Sequence, residues 1–322
     1  MRDAVLGLDT SNYRTSLAAV DLEGNILLNQ RKLLPVTLGE RGLRQSDAVY
    51  LHLKQIKDME PHVRDALSGV RIIAAAASAA PRNREDSYMP VFEVGDTLGR
   101  TIAATMEIPF IQTDHQQGHL WAARRGTALE KKEAFLALHL SGGTTDLLAF
   151  QAGEIAEWGG SLDLHAGQLI DRIGVAMGLP FPAGPEMEKL AGQGKAAGLL
   201  GCSMADRDLR CHFSGAETKA LSWIREGKMT PGDVALEVYD LLARTVARML
   251  AAGMRETGLR DVLLCGGVAS SALFRRMVTE RINKRERGMR LCFGDPALSG
   301  DNAVGVALIG LAAYKRQAAA GT

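Results

Sequence analysis

The chain has 322 residues, with 38 Lys and Arg against 37 Asp and Glu, and 5% of its residues are aromatic. This length is enough for two domains, or for one bilobal unit with a sizeable core. The balanced charge argues against a free-standing nucleic-acid platform that neutralises phosphates, and the few aromatic residues argue against a base-stacking surface.

The cysteines and the apolar segments indicate the compartment. The four cysteines (Cys202, Cys211, Cys265 and Cys292) form no CxxC pair, which argues against a cysteine-ligated zinc and favours a reducing environment. The N-terminal MRDAVLGLDT lacks the apolar segment of a signal peptide, and no apolar run reaches the length of a transmembrane helix. The sequence therefore predicts a cytoplasmic globular protein without a membrane partner.

An apolar meander occurs twice along the chain. Ala4–Leu28 has three strand-like runs, with a hydroxyl-rich turn after the first and a turn at Glu23-Gly24 after the second. Ala134–Glu157 repeats this order, and its first turn is Ser141–Thr145. A duplication of this kind predicts two similar α/β lobes.

Helical segments follow each meander. Ser46–Leu67 has apolar residues at helical spacing, and Asp233–Thr257 is an amphipathic helix preceded by a capping Thr230-Pro231 pair. Asp261–Cys265 is a short buried strand that leads into a glycine turn and a further helix. We place the lobes at residues 1–132 and 133–322, and expect the final helix, residues 303–318, to pack back on the first lobe.

Three small-residue turns have the composition of phosphate-binding turns. Backbone N–H groups exposed by glycine, together with Ser and Thr hydroxyls, cradle anionic oxygens. The candidates are Thr10, Ser11 and Thr15 in the first lobe, and Ser141–Thr144 and Gly266-Gly267 in the second. Any one of them alone is more often an ordinary tight turn, because glycine turns are common. The three in this order, with the duplication, favour a nucleotide site.

The segment TDHQQGHL places His115 and His119 one helical turn apart. Such a pair either shares a metal or consists of two polar residues on a solvated face, and a third ligand is needed to decide. Gln116 stands where the HExxH zinc-protease pattern has its general-base Glu, so a protease is the weakest interpretation. Asp301, in GDNAVG before the last helix, is the candidate third ligand.

The motif order LGLDTSNYRTS, DHQQGH, HLSGG, AGQLIDRIG, FPAGP, HFSGAETK, CGGVASS and GDNAVG resembles the TsaD family, also called the Gcp or glycoprotease family. The resemblance covers nearly the whole chain. It implies an α/β, two-lobed actin/Hsp70/sugar-kinase fold with duplicated RNase H-like lobes. It also implies an acyltransferase that moves a threonylcarbamoyl group from threonylcarbamoyl-adenylate to the tRNA adenosine 3′ of the anticodon.

The resemblance also implies a set of site residues. The metal ligands would be His115, His119 and Asp301, holding one divalent ion (iron, zinc or magnesium). The implied cofactor or substrate is ATP or an adenylate, and the implied partners are tRNA and a small homologous TsaB-like protein. The nucleotide-binding residues would be Thr10, Ser11, His139, Leu140, Ser141, Gly142, Gly143, Asp171, Gly184, Gly266, Gly267 and Ser271, the last standing where the family has asparagine.

Several motifs depart from the family pattern. The first turn, ETSCDET in the family, is DTSNYRT here, and residues 80–95 replace a GPGL segment. The histidine motif lacks its Glu, and DDAAGE reads DLHAGQ at residues 163–168. These changes favour a diverged paralogue, and two alternatives stay open. One is an ATP- and metal-dependent carbamoyl-type transferase with a non-tRNA acceptor, and the other is a non-catalytic nucleotide-binding partner protein.

Overall fold

The computed structural model describes residues 1–11, 14–35, 43–84, 87–300 and 303–320. They form a mixed α/β protein whose strands build two sheets, which confirms the predicted class. The chain divides into two compact units, Met1–Ala123 with Gly300–Thr322, and Arg124–Ser299. The last helix therefore belongs to the first unit.

The first sheet contains the first predicted meander. Its order is β3–β2–β1–β4–β5, in which β1, β2 and β3 are antiparallel neighbours and β4 and β5 run parallel to β1. Gly24 has a φ of +83° at the turn between the second and third strands, where glycine is favoured. The strands are β1 (Arg2–Ser11), β2 (Arg14–Asp21), β3 (Ile26–Leu33), β4 (Val70–Ser78) and β5 (Phe110–Thr113).

The second sheet repeats this arrangement and extends it. Its strands are β6 (Ala134–Leu140), β7 (Thr145–Gln151), β8 (Glu154–Ser161), β9 (Ser203–Ala205), β10 (Arg210–His212), β11 (Asp261–Cys265) and β12 (Arg290–Phe293). Their order is β12–β11–β6–β7–β8–β10–β9. The antiparallel meander β6–β7–β8 is followed beside β6 by the parallel strands β11 and β12, so the predicted duplication is confirmed. The strands β9, β10 and β12 of this sheet were not predicted, nor were β4 and β5 of the first sheet.

The helices confirm the main periodic segments of the sequence. The segments predicted as Ser46–Leu67, Asp233–Thr257 and residues 303–318 are the first, seventh and last of the described helices, and their ends agree to within a few residues. The described helices are α1 (Gln45–Ala66), α2 (Phe92–Met106), α3 (His115–Arg124), α4 (Ala166–Ala176), α5 (Gly184–Ala191), α6 (Ser214–Glu226), α7 (Pro231–Thr257), α8 (Ala272–Arg285) and α9 (Val304–Ala320).

The two faces of the first sheet carry different helices. On one face the Thr10 hydroxyl donates to the Val91 carbonyl oxygen at 2.8 Å, which joins β1 to the start of α2. On the other face a Cβ at Gly7 would lie 2.6 Å from the Ala307 nitrogen, so the glycine allows α9 to pack directly on β1. Because side chains alternate along a strand, Asp9 lies on the same face as Gly7.

The second unit is built around α7. Its N-cap Thr230 accepts a hydrogen bond from the Asp233 N–H at 3.2 Å, as the sequence predicts, and such a cap stabilises a helix by about 1 kcal/mol. Most of the following turns are buried against the sheet and α5 and α8. Among the described residues, no helix combines the length and the hydropathy needed to cross a bilayer.

Candidate functional site

A cavity of about 410 Å³ lies in the second unit, where the parallel strands β6 and β11 end. This volume falls within the range of small-molecule pockets. Ligand sites of α/β sheets occur at the carboxyl ends of parallel strands. The wall consists of Gly142, Gly167, Ile170, Asp171, Pro182, Gly184, Pro185, Glu188, Tyr239, Gly267, Val268, Ser270 and Ser271.

Five residues predicted to bind a nucleotide meet in this wall: Gly142, Asp171, Gly184, Gly267 and Ser271. A Cβ added to any of the three glycines would meet no atom within 4 Å. Their backbone therefore faces open space that a ligand can fill. Exposed backbone of this kind is what a phosphate or a nucleoside needs for close approach.

Two further glycines bring these turns together. Gly266 has a φ of +95°, and a Cβ there would overlap the Leu140 carbonyl oxygen. The Gly167 N–H donates to the Ser141 carbonyl oxygen at 3.0 Å, and a Cβ at Gly167 would lie 2.6 Å from the Gly142 nitrogen. The start of α4 is thereby held against the turn after β6, which places the open backbone of Gly142 in the cavity wall.

Two polar side chains of the wall are Asp171, which is half-buried, and Tyr239, which is buried. Asp171 Oδ1 accepts the Ala183 N–H at 2.7 Å. Burial raises the pKa of Asp171, although this hydrogen bond opposes the shift. The Tyr239 hydroxyl donates to the Gly184 carbonyl oxygen at 3.2 Å, and burial together with the charge of Glu188 raises its pKa. Tyr239 is therefore a neutral hydroxyl that fixes the FPAGP loop at neutral pH.

Glu188 and Ser271 join the start of α8 to the cavity. Glu188 Oε1 accepts the Leu273 N–H at 2.7 Å. The Ser271 hydroxyl oxygen accepts the Phe274 N–H at 3.1 Å and caps α8. Serine and asparagine are both good N-caps, so the departure from the family's asparagine preserves the helix start. The Ser271 hydroxyl also forms a hydrogen bond with the Tyr239 side chain, which opposes the rise in the pKa of Tyr239.

The other predicted nucleotide residues lie outside the cavity wall. His139 and Leu140 are buried in β6, and the Ser141 hydroxyl accepts the Gly143 N–H at 3.3 Å within the turn. In the first unit, Ser11 is buried, and the buried Thr10 hydroxyl accepts the Gly95 N–H at 3.0 Å in addition to its bond to α2. A role for these residues at a nucleotide stays a prediction.

The histidine pair lies on one face of α3, in the first unit. The Nε2 atoms of His115 and His119 are 3.0 Å apart, and His115 Nδ1 is 2.6 Å from Asp9 Oδ2. A carboxylate that accepts Nδ1–H leaves Nε2 with a lone pair for a metal. Asp9 is 1% exposed, so it acts through His115.

These contacts fit a metal site that needs more ligands. Two convergent imidazole nitrogens with a carboxylate behind one ring are the usual histidine part of such a site. Asp301, the predicted third ligand, lies outside the described residues. Within the described ranges, no three His, Cys, Asp or Glu side chains are grouped to hold a metal ion. The ligand set of His115, His119 and Asp301 therefore stays a prediction.

Three residues of these sites were missed from the sequence. Asp9 had a visible signal, since a carboxylate inside the apolar run AVLGLDT is costly to bury unless it has a partner. Glu188 lies one helical turn after Gly184 in α5, and its carboxylate is the only charge that α5 places in the cavity wall. Tyr239 carries no local signal, because it lies in the buried face of a long amphipathic helix.

Comparison with known proteins identifies the family. A family model described as TsaD, tRNA N6-adenosine threonylcarbamoyltransferase, matches residues 89–308, about two thirds of the chain. The chain belongs to the TsaD family. Membership confirms the resemblance drawn from the motif order, and the family's description is that of a transferase.

The name of a curated relative agrees with membership of the TsaD family. It is a "Probable bifunctional tRNA threonylcarbamoyladenosine biosynthesis protein" of Thermoplasma volcanium, 29% identical over 314 residues. The match covers 97% of this chain and 56% of the relative. The chain thus spans about half the length of the curated relatives that it matches.

Solved structures show the fold of this TsaD-family chain. HypF of T. kodakarensis aligns with a TM-score of 0.60 at 14% identity, over 98% of this chain and 48% of that one. A ROK-family glucokinase from Streptomyces griseus, solved with glucose and AMPPNP, aligns with a TM-score of 0.54 at 14% identity, over 95% and 99%. At these identities the likeness shows the fold alone. It is the predicted actin/Hsp70/sugar-kinase fold.

Proposed function

We propose that the chain transfers a threonylcarbamoyl group from threonylcarbamoyl-adenylate to the tRNA adenosine 3′ of the anticodon. Membership of the TsaD family and the name of the Thermoplasma relative support this reaction. The observation that carries it is the cavity of the second unit, where open glycine backbone, Asp171 and Ser271 converge. This combination suits an adenylate.

The chain's own groups account for binding and orientation. The N–H groups of the turns at Gly142 and Gly267 receive the phosphate, and the carboxylate of Asp171 accepts ribose hydroxyls. The acceptor's amine nitrogen forms a bond to the carbamoyl carbon, the bond from that carbon to the phosphate oxygen breaks, and the amine loses a proton. The same N–H groups stabilise the charge that develops on departing AMP. No side chain acts as a nucleophile.

We extend the proposal to a metal in the first unit. His115, His119 and Asp301 would hold one divalent ion, with iron, zinc and magnesium as candidates. When bound, such an ion acts as a Lewis acid toward substrate oxygens. Asp9 holds the His115 ring in the orientation that ligation needs. tRNA and a small TsaB-like protein are the proposed partners.

A transfer assay tests the proposal. The purified chain is incubated with threonylcarbamoyl-adenylate and unmodified tRNA, with and without candidate partner proteins from the same cell. Threonylcarbamoyladenosine is then measured by mass spectrometry.

Gly267→Val places a branched side chain in the open cavity at an unstrained φ of −61°. We expect it to weaken ATP binding by about tenfold or more, because overpacking costs about 1–3 kcal/mol.

Gly201→Val is the matched control, because a Cβ at Gly201 also meets no atom within 4 Å and the residue lies outside the cavity wall. If wild type and Gly267→Val bound ATP equally well, the cavity would not be the nucleotide site. Wild type that binds ATP and makes no modified tRNA with any partner would exclude tRNA as the acceptor. That result would favour the alternative carbamoyl-type transferase.

A further inference from the structure

Two of the four cysteines meet at the hairpin formed by β9 and β10. Cys202 directly precedes β9, and Cys211 lies in β10, where it pairs with Met204. Because side chains alternate along a strand, Cys202 lies on the same face of the hairpin as Met204 and Cys211. The Cys202 thiol donates to the His212 carbonyl oxygen at 3.4 Å, and the Cys202 and Cys211 side chains share a hydrogen bond. The two sulfur atoms are therefore direct neighbours.

The two thiols differ in their access to solvent. Cys211 is fully buried, whereas Cys202 is partly exposed and lies between the exposed residues Gly201 and Ser203. A small solute can therefore reach Cys202 directly. Cys211 is reached only through the group that its neighbour carries, so Cys202 is the thiol that reacts first and Cys211 the thiol that reacts second.

The surroundings of Cys202 favour its thiolate. The hydrogen bond from Cys211 lowers the pKa of Cys202 toward neutrality, and a hydrogen bond from Thr245 and the charge of Arg248 act in the same direction against burial. The same sulfur hydrogen bond, together with burial, raises the pKa of Cys211, so Cys211 stays protonated. An accessible thiolate beside a second thiol is the arrangement found in redox-sensing cysteines.

We propose that Cys202 and Cys211 form a reversible disulfide when the chain meets a hydroperoxide. The Cys202 thiolate attacks a peroxide oxygen, so that a sulfur–oxygen bond forms, the oxygen–oxygen bond breaks, and the departing oxygen takes a proton and leaves as water or an alcohol. The Cys211 sulfur then attacks the Cys202 sulfur, the sulfur–oxygen bond breaks, and hydroxide leaves as water with the Cys211 proton. The two thiols lose two electrons in all, and the peroxide gains them. A small thiol reverses the reaction by exchange.

The disulfide closes the hairpin beside a junction of the second unit. Cys211 pairs with Ser161 of β8, and two residues later the Phe213 N–H donates to Asp163 at 2.8 Å. The new bond ties the segment before β9 to the strand that leads into this junction. Because a cross-link restricts the unfolded chain, oxidation stabilises the hairpin against opening.

Hydrogen peroxide treatment of the purified full-length chain at pH 7 tests the proposal. The treated chain is denatured, its free thiols are alkylated, and its peptides are analysed by mass spectrometry without reductant. The four cysteines are free before treatment. We expect two of them to escape alkylation afterwards, in peptides linked through Cys202 and Cys211, and the melting temperature to rise. Dithiothreitol should restore alkylation of all four thiols and the original melting temperature.

Three serine variants separate the roles of the cysteines. Cys202→Ser should keep its remaining thiols free after the same treatment, with no rise in melting temperature. Cys211→Ser should stop at the sulfenic acid of Cys202, which dimedone traps. Cys292→Ser is the matched control, because Cys292 is also half-buried but burial raises the pKa of its thiol. It should form the disulfide as wild type does.

Two results would overturn the proposal. One is a wild-type chain whose Cys202 and Cys211 both remain alkylated at peroxide concentrations that oxidise a free cysteine peptide. The other is oxidation that links Cys202 to a different cysteine, or to a second copy of the chain, while Cys211 stays free.

Discussion

The two carboxylate oxygens of Asp9 have different surroundings. Oδ2 lies 2.6 Å from the Nδ1 atom of His115, whereas Oδ1 is buried and has no hydrogen-bond partner among the described residues. A carboxylate that orients a ligating histidine raises the basicity of the ring and fixes its tautomer. We therefore expect Asp9 to influence the proposed metal site through the His115 ring and not as a ligand.

Asp9→Asn should reduce the metal affinity of the histidine pair by about 10- to 100-fold, because an amide is a weaker partner for Nδ1–H than a carboxylate. The measurement is the metal content of the purified chain after dialysis against increasing chelator. Asp3→Asn is the control, since Asp3 lies at the other end of β1 in an exposed ion pair with Arg71. This role would be contradicted if Asp9→Asn kept stoichiometric metal under the dialysis conditions that remove the metal from His115→Ala.

Part of the first site could be predicted from the sequence. The spacing of four residues placed His115 and His119 on one face of a helix, and the structure shows them so. Asp9 lies 106 residues from His115 along the chain, and no local pattern joins them.

The loop between β8 and α4 is joined to the start of α6 by one carboxylate. Asp163 accepts hydrogen bonds from the Phe213 N–H at 2.8 Å and from the Ser214 N–H and hydroxyl. Burial alone would raise the pKa of Asp163, but these bonds and one from Leu164 outweigh it and lower the pKa to about 2. The ionised carboxylate therefore stabilises the junction, and its protonation weakens it.

Asp163→Asn should destabilise the second unit at pH 7 by about 1–3 kcal/mol, because N–H groups lose a charged acceptor. The folded pKa lies below the unfolded value of 3.8. The stabilisation is thus complete well above pH 3.8 and is lost as the pH falls toward about 2. Denaturant unfolding at pH 7, 5 and 3 measures it, with the exposed Asp58→Asn as control. A wild-type advantage that stays constant from pH 7 to pH 3 would contradict the assignment.

The elements that the sequence predicted best are those with local signals. The meanders were found because apolar runs alternate with small-residue turns, and α7 because it has helical periodicity and a Thr-Pro cap. All of these signals lie in neighbouring residues. The strands β9 and β10 have three residues each, too few to show a period. They exist because β10 pairs with β8 at Gly160 and Ser161, a contact between segments that are distant in sequence.

At the scale of the whole chain, the same strand arrangement occurs in both sheets. Its two copies carry candidate sites that suit ligands of opposite charge. In each sheet the candidate site lies where the first strand of the meander and its parallel neighbour end. The first unit places a carboxylate, two histidines and hydroxyls there, which suit cations. The second unit places open glycine backbone there, which suits an anionic nucleotide. The two units therefore share one strand arrangement, and the residues at the strand ends determine which class of ligand each candidate site suits.

This division predicts separate ligand responses in the two units. With ATP and a chelator, amide hydrogen exchange should slow in the cavity segments of the second unit, around residues 141–143, 166–171, 182–188 and 266–271. With a divalent metal alone it should slow around residues 9–11 and 115–119 of the first. Ligand binding raises the free energy of local opening where the ligand makes contacts. Gly267→Val should abolish the first response and leave the second, and His119→Ala should do the reverse. Protection by ATP confined to the first unit would place the nucleotide at the other strand ends and refute the assignment of the two sites.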